Sequence, residues 1–355
     1  MTTLHIAGRP IGAGAPPYFI ADIGANHDGD FQRALTLIDQ AAEAGADAVK
    51  FQNFTASSIV SRRGFDELGG QLAHQAAWDK PVYEVYEDAS LPIDWTAALA
   101  ERASAAGVHY FTSPYDLDAI AAVEPYVPAF KVGSGDITWP AVIERMGRSG
   151  KPVLLAAGAS TQRDVDRALN VVRGVSDQVV LMQCNTNYTG SNENFGYLNL
   201  GVLRDWSVRY PGIVLGLSDH TPGHISVVAA LALGATVFEK HFTDDPSRPG
   251  PDHRFAMTPQ TWRAMVEAAT LAAASIGDGV KRIEANERDA SVVQRRALRF
   301  AADFPAGHVV SAHDLFPTRP CPPEGLEPYR EAEVVGRQLL APVQADALVT
   351  LKNLA

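Results

Sequence analysis

Residues 216–255 read GLSDHTPGHISVVAALALGATVFEKHFTDDPSRPGPDHRF, and the pattern of this stretch decides the fold. Two short apolar runs, IVLGL (213–217) and ATVFEK (235–240), have the length and β-branched content of buried strands. Between them HISVVAALALG (224–234) is an Ala/Leu/Val-rich segment of helical length closed by Gly234. A strand–helix–strand unit makes the two strands parallel and neighbouring, so their C-terminal ends point the same way. His220 follows the first strand and His241 the second, and the geometry brings the two imidazoles together. With Asp219, Glu239 and Asp252 nearby, such a pair suits a borderline divalent metal. A histidine at one strand end alone would more simply hydrogen-bond within its own loop; two on adjacent strands favour a shared ion.

Outward from this unit the same alternation runs through the chain. Strands are predicted to begin near Phe19, Ala46, Val108, Ala129, Pro152, Val179, Ile213 and Ala235. Helical patterns separate them over 31–44, 94–106, 117–123, 141–148 and 161–172. Eight apolar strands alternating with helices imply a parallel sheet covered on both faces, closed as a (β/α)8 TIM barrel. An open doubly wound sheet is the competing architecture, but no GxGxxG follows the first strand. The connection from Thr55 to Pro92 is far longer than an ordinary βα loop and lies on the catalytic face. Its Trp78, Tyr83 and Tyr86 predict an ordered, packed piece.

From about Lys281 the composition changes. Residues 1–280 read as the barrel, 281–295 as a charged linker or exposed helix, and 296–355 as a small β-rich domain. In the last, RALRFAAD, Gly307–Val310 and the tail LVTLKNL are read as short strands around TRPCPPEG. A domain that small buries little core and is expected to lean on another surface.

A net charge of −11 and a pI near 5.4 argue against a nucleic-acid or anionic-membrane partner. Only Cys184 and Cys321 are present, without metal-site spacing or the density of a disulfide scaffold, so a reducing cytoplasm fits. The start, MTTLHIAGRPIGAGAPP, lacks a signal peptide's basic and apolar regions, and no apolar run approaches the roughly 20 residues of a membrane span. A soluble intracellular protein is expected.

In a barrel of this kind, function resides at the strand C-termini. Those positions hold Asp22, Lys50, Gln52, Ser113, Asp116, Lys131, Ser134, Asp136 and Ser160, then Cys184–Tyr188, Ser218–His220, Lys240 and His241. Lysine is rarely buried unless paired, so Lys50 and Lys131 each require an anion. That anion is either a neighbouring carboxylate (Asp22, Asp136, Glu239) or a phosphate and carboxylate ligand supported by Ser134, Ser160 and Ser218. A metal on one side and an anion cradle on the other favour the second.

ADIGANHDGDFQRAL, AGADAVKFQNF, FKVGSGDI, GLSDHT, GATVFEKHF and GPDHRFAM together resemble the sialic acid (N-acetylneuraminate) synthases, which condense phosphoenolpyruvate with an acyl-amino sugar. The similarity runs over nearly the whole chain, and RRALRFAADFPAGHVVSAHDLFPTRPCPPEG resembles their C-terminal antifreeze-like (SAF, β-clip) domain. The resemblance implies that His220 and His241 bind a divalent metal, Mn2+ or Mg2+. It implies that Lys50, Lys131, Ser134, Ser160 and Ser218 hold phosphoenolpyruvate, and that Gln52, Tyr188 and Asp252 surround an aldose such as N-acetylmannosamine. Arg319 matches an arginine presented to the partner's barrel, which implies a domain-swapped homodimer. Asp22 and Asp136 stand where most relatives have glutamate; Asp136 is the expected acid/base carboxylate and Asp22 a positioning one. Thr186 replaces an asparagine or serine of relatives, and Tyr188–Glu193 lacks their proline. These last changes fall on the acceptor side, so a different acceptor aldehyde, as in a specialised sugar or antibiotic pathway, is the competing function. A barrel kept only for binding is disfavoured by the intact histidines and lysines.

Overall fold

The computed structural model describes residues 3–355, which divide into two compact units, one ending at Gly277 and the other running from Asp278 to Ala355. In the first unit, β1 (Thr3–Ile6) and β2 (Arg9–Gly12) form an antiparallel hairpin. Eight strands follow: β3 (Tyr18–Asp22), β4 (Ala48–Asn53), β5 (His109–Pro114), β6 (Phe130–Val132), β7 (Val153–Ala156), β8 (Val179–Cys184), β9 (Val214–Asp219) and β10 (Ala235–His241). All their pairings are parallel, in the order β5-β4-β3-β10-β9-β8-β7-β6, and the end strands β5 and β6 run beside each other. The sheet is the (β/α)8 barrel that the alternation predicts.

Successive side chains of a strand point to opposite faces, so each barrel strand serves two cores. Tyr18, Ile20, Ala48, Phe111, Leu154 and Met182 are among the residues that fill the interior, together with Leu4, Ile6 and Ile11 of the hairpin, which plugs one end. The alternate residues, such as Phe19, Ala21, Val49 and Phe238, pack against the surrounding helices. The helix Phe31–Glu43 is typical of that layer: Asp30 caps it, and Ala34, Leu37, Ile38 and Ala41 form its buried stripe. Two helices escape the sequence pattern, Gly201–Arg209 and Pro259–Ile276. No helix among the described residues is long and apolar enough to cross a membrane.

The long connection after β4 is ordered as short helices at Ala56–Ile59, Arg62–Glu67 and Val82–Asp88, with a 3-10 turn at Ala73–Ala77. Ala56, Val60 and Val82, with Trp78, Tyr83 and Tyr86 against them, give it a core of its own.

The second unit opens with a 3-10 turn and a helix over Ala285–Glu287 and Arg288–Val293. β11 (Ala297–Phe300) pairs antiparallel with β12 (Leu315–Thr318), over a core that includes Leu298, Phe300, Val334 and Val349. Two strand expectations need correction here. Gly307–Val310 contributes only a bridge at Val309, and the tail only bridges at Leu348 and Leu354. Between those tail bridges Leu351–Asn353 turns as a 3-10 helix, held by Thr350 Oγ1 donating to Asn353 Oδ1 at 3.2 Å. A side chain that bonds locally offers the backbone an alternative to a ladder.

Candidate active site

Strand alternation sorts the strand-end residues. On β9 and just beyond it, Ser218 and His220 face the barrel axis and Asp219 the helices; on β10, Glu239 and His241 face inward and Lys240 outward. Asp219 is therefore not beside the imidazoles, as expected from its position in the sequence, because a one-residue step reverses direction. It forms a buried ion pair with Lys240, accepts from the Thr221 and Ser226 hydroxyls at 2.9 and 2.5 Å, and stays outside the cavity. Burial would raise its pKa, but Lys240 and these donors hold it below the ordinary carboxylate value.

The inward residues close a cavity of about 380 Å³ at the strand C-termini. Register places Asp22 between Lys50 of β4 and His241 of β10. Lys50 Nζ lies 2.7 Å from Asp22 Oδ2 and 3.5 Å from Ser113 Oγ, and His241 Nε2 is 3.4 Å from the same carboxylate oxygen. A second row joins Cys184, Ser218 and Glu239 across β8, β9 and β10. Ser218 Oγ donates to Glu239 Oε1 at 3.2 Å, and Lys131 Nζ lies 3.3 Å from that oxygen. Both lysines are thus buried and paired, with Lys50 2% and Lys131 3% exposed. Burial opposes the ammonium form of Lys50, yet Asp22 and Glu239 raise its pKa. The Asp22 carboxyl, also disfavoured by burial, is held low by Lys50 and then His241.

Asp136 behaves differently. It sits in the 3-10 turn Ser134–Thr138, and burial pushes its carboxyl up to about 6 against the opposing field of Lys131. On the other side of the cavity Asp252 Oδ2 accepts from the Ala25 N–H at 3.0 Å and stands 3.7 Å from His241 Nδ1. The Gln52 amide donates to Asp22 at 3.4 Å. Tyr188 packs on both imidazoles, with ring centroids 4.2 Å from His220 and 6.4 Å from His241.

The residues present fit a divalent cation. His220 and His241 have centroids 5.5 Å apart. The Nδ1–H of His220 donates to the Asn185 carbonyl at 2.8 Å, which leaves Nε2 with a lone pair, and burial lowers its pKa to about 3, so the ring is neutral. His241 Nδ1 is buried without a hydrogen-bond partner, as are Asp22 Oδ1 and Glu239 Oε2. Four carboxylates (Asp22, Asp136, Glu239, Asp252) face two ammonium groups in the lining, an excess that one dication offsets. Among the described residues no three His, Cys, Asp or Glu side chains are grouped to hold an ion by themselves. The protein side of such a site is the imidazole pair, with positions left for substrate oxygens and water.

Of the residues singled out from sequence, Asp22, Lys50, Gln52, Lys131, Ser134, Asp136, Tyr188, Ser218, His220, His241 and Asp252 line this one cavity. Ser160 and Thr186 do not: the Ser160 hydroxyl donates to Gly158 O at 2.9 Å, and Thr186 turns a methyl toward Gly158. Arg319 lies, exposed, in the second unit, and Asp116 caps the helix Leu117–Val123. Ser113, Cys184 and Glu239, also named from the sequence, join the lining, and so does Tyr115, which was not; it stands two residues along from Ser113, a spacing that the bare pattern already holds. His74, Trp78 and Tyr86 come from the long connection over β4, and nothing in their spacing marks them. A second hollow of about 700 Å³ adjoins beneath that segment, sharing Ala25, Trp78, Val85, Ala89 and Pro251.

A parallel barrel that gathers paired lysines, carboxylates and two imidazoles at its strand C-termini is an enzyme. Residues 37–281 match the model of the NeuB family, and the chain belongs to that family. It is 31% identical to an N,N'-diacetyllegionaminic acid synthase of Legionella pneumophila, over 93% of this chain and 92% of the relative. It is 30% identical to a pseudaminic acid synthase of Helicobacter pylori, over 91% and 93% of the two chains. A crystal structure of the N-acetylneuraminic (sialic) acid synthetase of Leptospira borgpetersenii, in complex with citrate, superposes with a TM-score of 0.71 at 25% identity. It covers 81% of this chain and 95% of that one.

Proposed function

We propose that this enzyme condenses phosphoenolpyruvate with an aldose of the N-acetylmannosamine type, releasing phosphate and a nonulosonic acid. The carrying observation is the cavity's two-sidedness. Buried lysines with serine hydroxyls occupy one side, and two imidazoles, His220 neutral and His241 with an unpartnered nitrogen, occupy the other.

Lys50 and Lys131 neutralise the carboxylate and phosphate of phosphoenolpyruvate, with Ser113, Ser134 and Ser218 as hydrogen-bonding groups. His220 and His241 would hold a Mn2+ or Mg2+ ion, which when bound would supply Lewis-acid polarisation of the acceptor carbonyl. Gln52, Tyr188 and Asp252 orient the sugar from the imidazole side. C3 of phosphoenolpyruvate attacks the aldehyde carbon, positive charge develops at C2, water adds there and phosphate leaves. Asp136, whose carboxyl titrates near 6, takes and returns a proton near neutrality. Asp22 holds Lys50 in place.

The unit from Asp278 to Ala355 is read as the antifreeze-like domain, and its exposed Arg319 as the group a partner subunit presents to the acceptor in a swapped homodimer. Two free cysteines and a metabolite of central metabolism as substrate suit a cytoplasmic enzyme. The acceptor is tested by measuring phosphate release from phosphoenolpyruvate against a panel of aldoses, 2-acylamino-hexoses and diacylamino-hexoses. Release with none of them, in metal-loaded protein, would refute the condensation; release only with an unrelated aldehyde would move the enzyme to another pathway.

A further inference from the structure

Tyr115 continues the inward row of β5, Phe111, Ser113, Tyr115, one residue past the strand. Its ring meets Phe54 edge-on, with centroids 5.7 Å apart at 86°. Asp136 reaches the same part of the cavity from the turn that follows β6. Gly133 measures how near the two come: a Cβ built there would lie 3.1 Å from Asp136 Oδ2 and 3.3 Å from Tyr115 Oη. Both oxygens therefore lie against the same side of Gly133, no more than the sum of these distances apart and so within reach of one bridging water, and the lack of a side chain at Gly133 leaves them room. The other titratable groups whose fields bear on Asp136 are Lys131 of β6 and Tyr86 of the helix Val82–Asp88. Burial, then the field of Asp136, keep the Tyr115 hydroxyl well above its ordinary pKa, so it holds its proton throughout the working range.

We propose that Tyr115 and Asp136 form a two-oxygen clamp for the water that adds to C2, with Tyr115 as its positioning residue. The inference rests on the condensation proposed above. The Tyr115 O–H donates to the water oxygen, and one water O–H donates to the Asp136 carboxylate. The second lone pair of that oxygen is left to form the O–C2 bond. As the bond forms, the donated proton passes to Asp136 and is then available to the alkoxide derived from the aldehyde. The C2–O bond to phosphorus-bound oxygen breaks with its electron pair on phosphate, which leaves with the second water proton as C2 becomes the ketone. Tyr115 neither gains nor loses a proton. Its task is to fix where the water stands, and so to keep that water donating to the ionised form of Asp136.

The experiment uses full-length, metal-loaded protein and steady-state phosphate release. Tyr115→Phe keeps the ring against Phe54 and removes only the hydroxyl. The expected result is a kcat about tenfold lower, the worth of one hydrogen bond, with the KM for phosphoenolpyruvate within twofold of wild type. The acid limb of the kcat/KM profile should move to higher pH, because the water that donates to the Asp136 carboxylate is no longer held in place and the ionised form loses that donor. Gly133→Ala, at a backbone conformation alanine accepts (φ −64°), places a methyl against both oxygens, forces them apart and should reproduce both effects if Tyr115→Phe folds poorly. Asp136→Asn separates the two levels of the argument. If it remains fully active, the acid/base assignment beneath the clamp is wrong. If it is inactive while Tyr115→Phe keeps wild-type kcat and an unmoved acid limb, the clamp is overturned and the assignment of Asp136 stands.

Discussion

Replacing Lys50 by Met removes one charge from a buried pair at nearly constant volume, and its cost follows from the geometry. Lys50 Nζ is 2.7 Å from Asp22 Oδ2, and both residues are 2% exposed. Removing one partner of such a pair strands the other, a loss of about 3–5 kcal/mol. Gln52 and His241, each 3.4 Å from the same oxygen, soften it, so about 3 kcal/mol is expected at pH 8. The pH dependence is diagnostic. In the wild type the Asp22 pKa lies below its ordinary value, so the pair contributes stability above about pH 4, lost as pH falls through the folded pKa. In Lys50→Met burial is no longer outweighed and the Asp22 pKa rises. The destabilisation then shrinks by about 1.4 kcal/mol for each pH unit below the new pKa, as the carboxyl takes up a proton. Urea unfolding of the barrel at pH 5, 6, 7 and 8 measures this, with Lys50→Met/Asp22→Asn as the partner variant that should recover most of the loss. The KM for phosphoenolpyruvate should rise roughly 10- to 150-fold, the worth of a charge-assisted hydrogen bond of about 1.5–3 kcal/mol. A destabilisation that is constant from pH 5 to 8 and unrelieved by Asp22→Asn would refute the reasoning.

Three further outcomes are expected. His220→Ala and His241→Ala should each lose bound metal by elemental analysis and at least a hundredfold in activity, with the urea midpoint held. Full activity of either variant in chelator contradicts the metal assignment. The acid limb of kcat/KM should fall below about pH 6 and vanish in Asp136→Asn, since the carboxyl raised by burial must be ionised to accept a proton. Mixing Arg319→Ala with His241→Ala subunits should restore part of the activity, because a swapped dimer of the two contains one site with neither defect. Demonstrated subunit exchange without recovery would show that Arg319 serves its own barrel or none.

The sequence by itself determined the barrel and most of the cavity. Apolar runs separated by helical patterns admit one parallel architecture here, and function at strand C-termini then points to Lys50, Lys131, His220 and His241 without further knowledge. Strict alternation along each strand would also have removed Asp219 and Lys240 from the site and added Tyr115. That information is local, because the pleat has a period of two residues. Tertiary structure alone decided two other things. One is the roof: His74, Trp78 and Tyr86 reach the cavity because the segment after β4 folds on its own small core, and no periodicity ties their side chains to the barrel axis. The other is the balance of charge around each titratable group. Asp22 and Asp136 are the same residue type at the C-terminal ends of two barrel strands, yet one is held ionised and the other titrates near 6. The difference comes from an ammonium 2.7 Å from one, set there by the register of β3 on β4, and from burial without such a partner for the other.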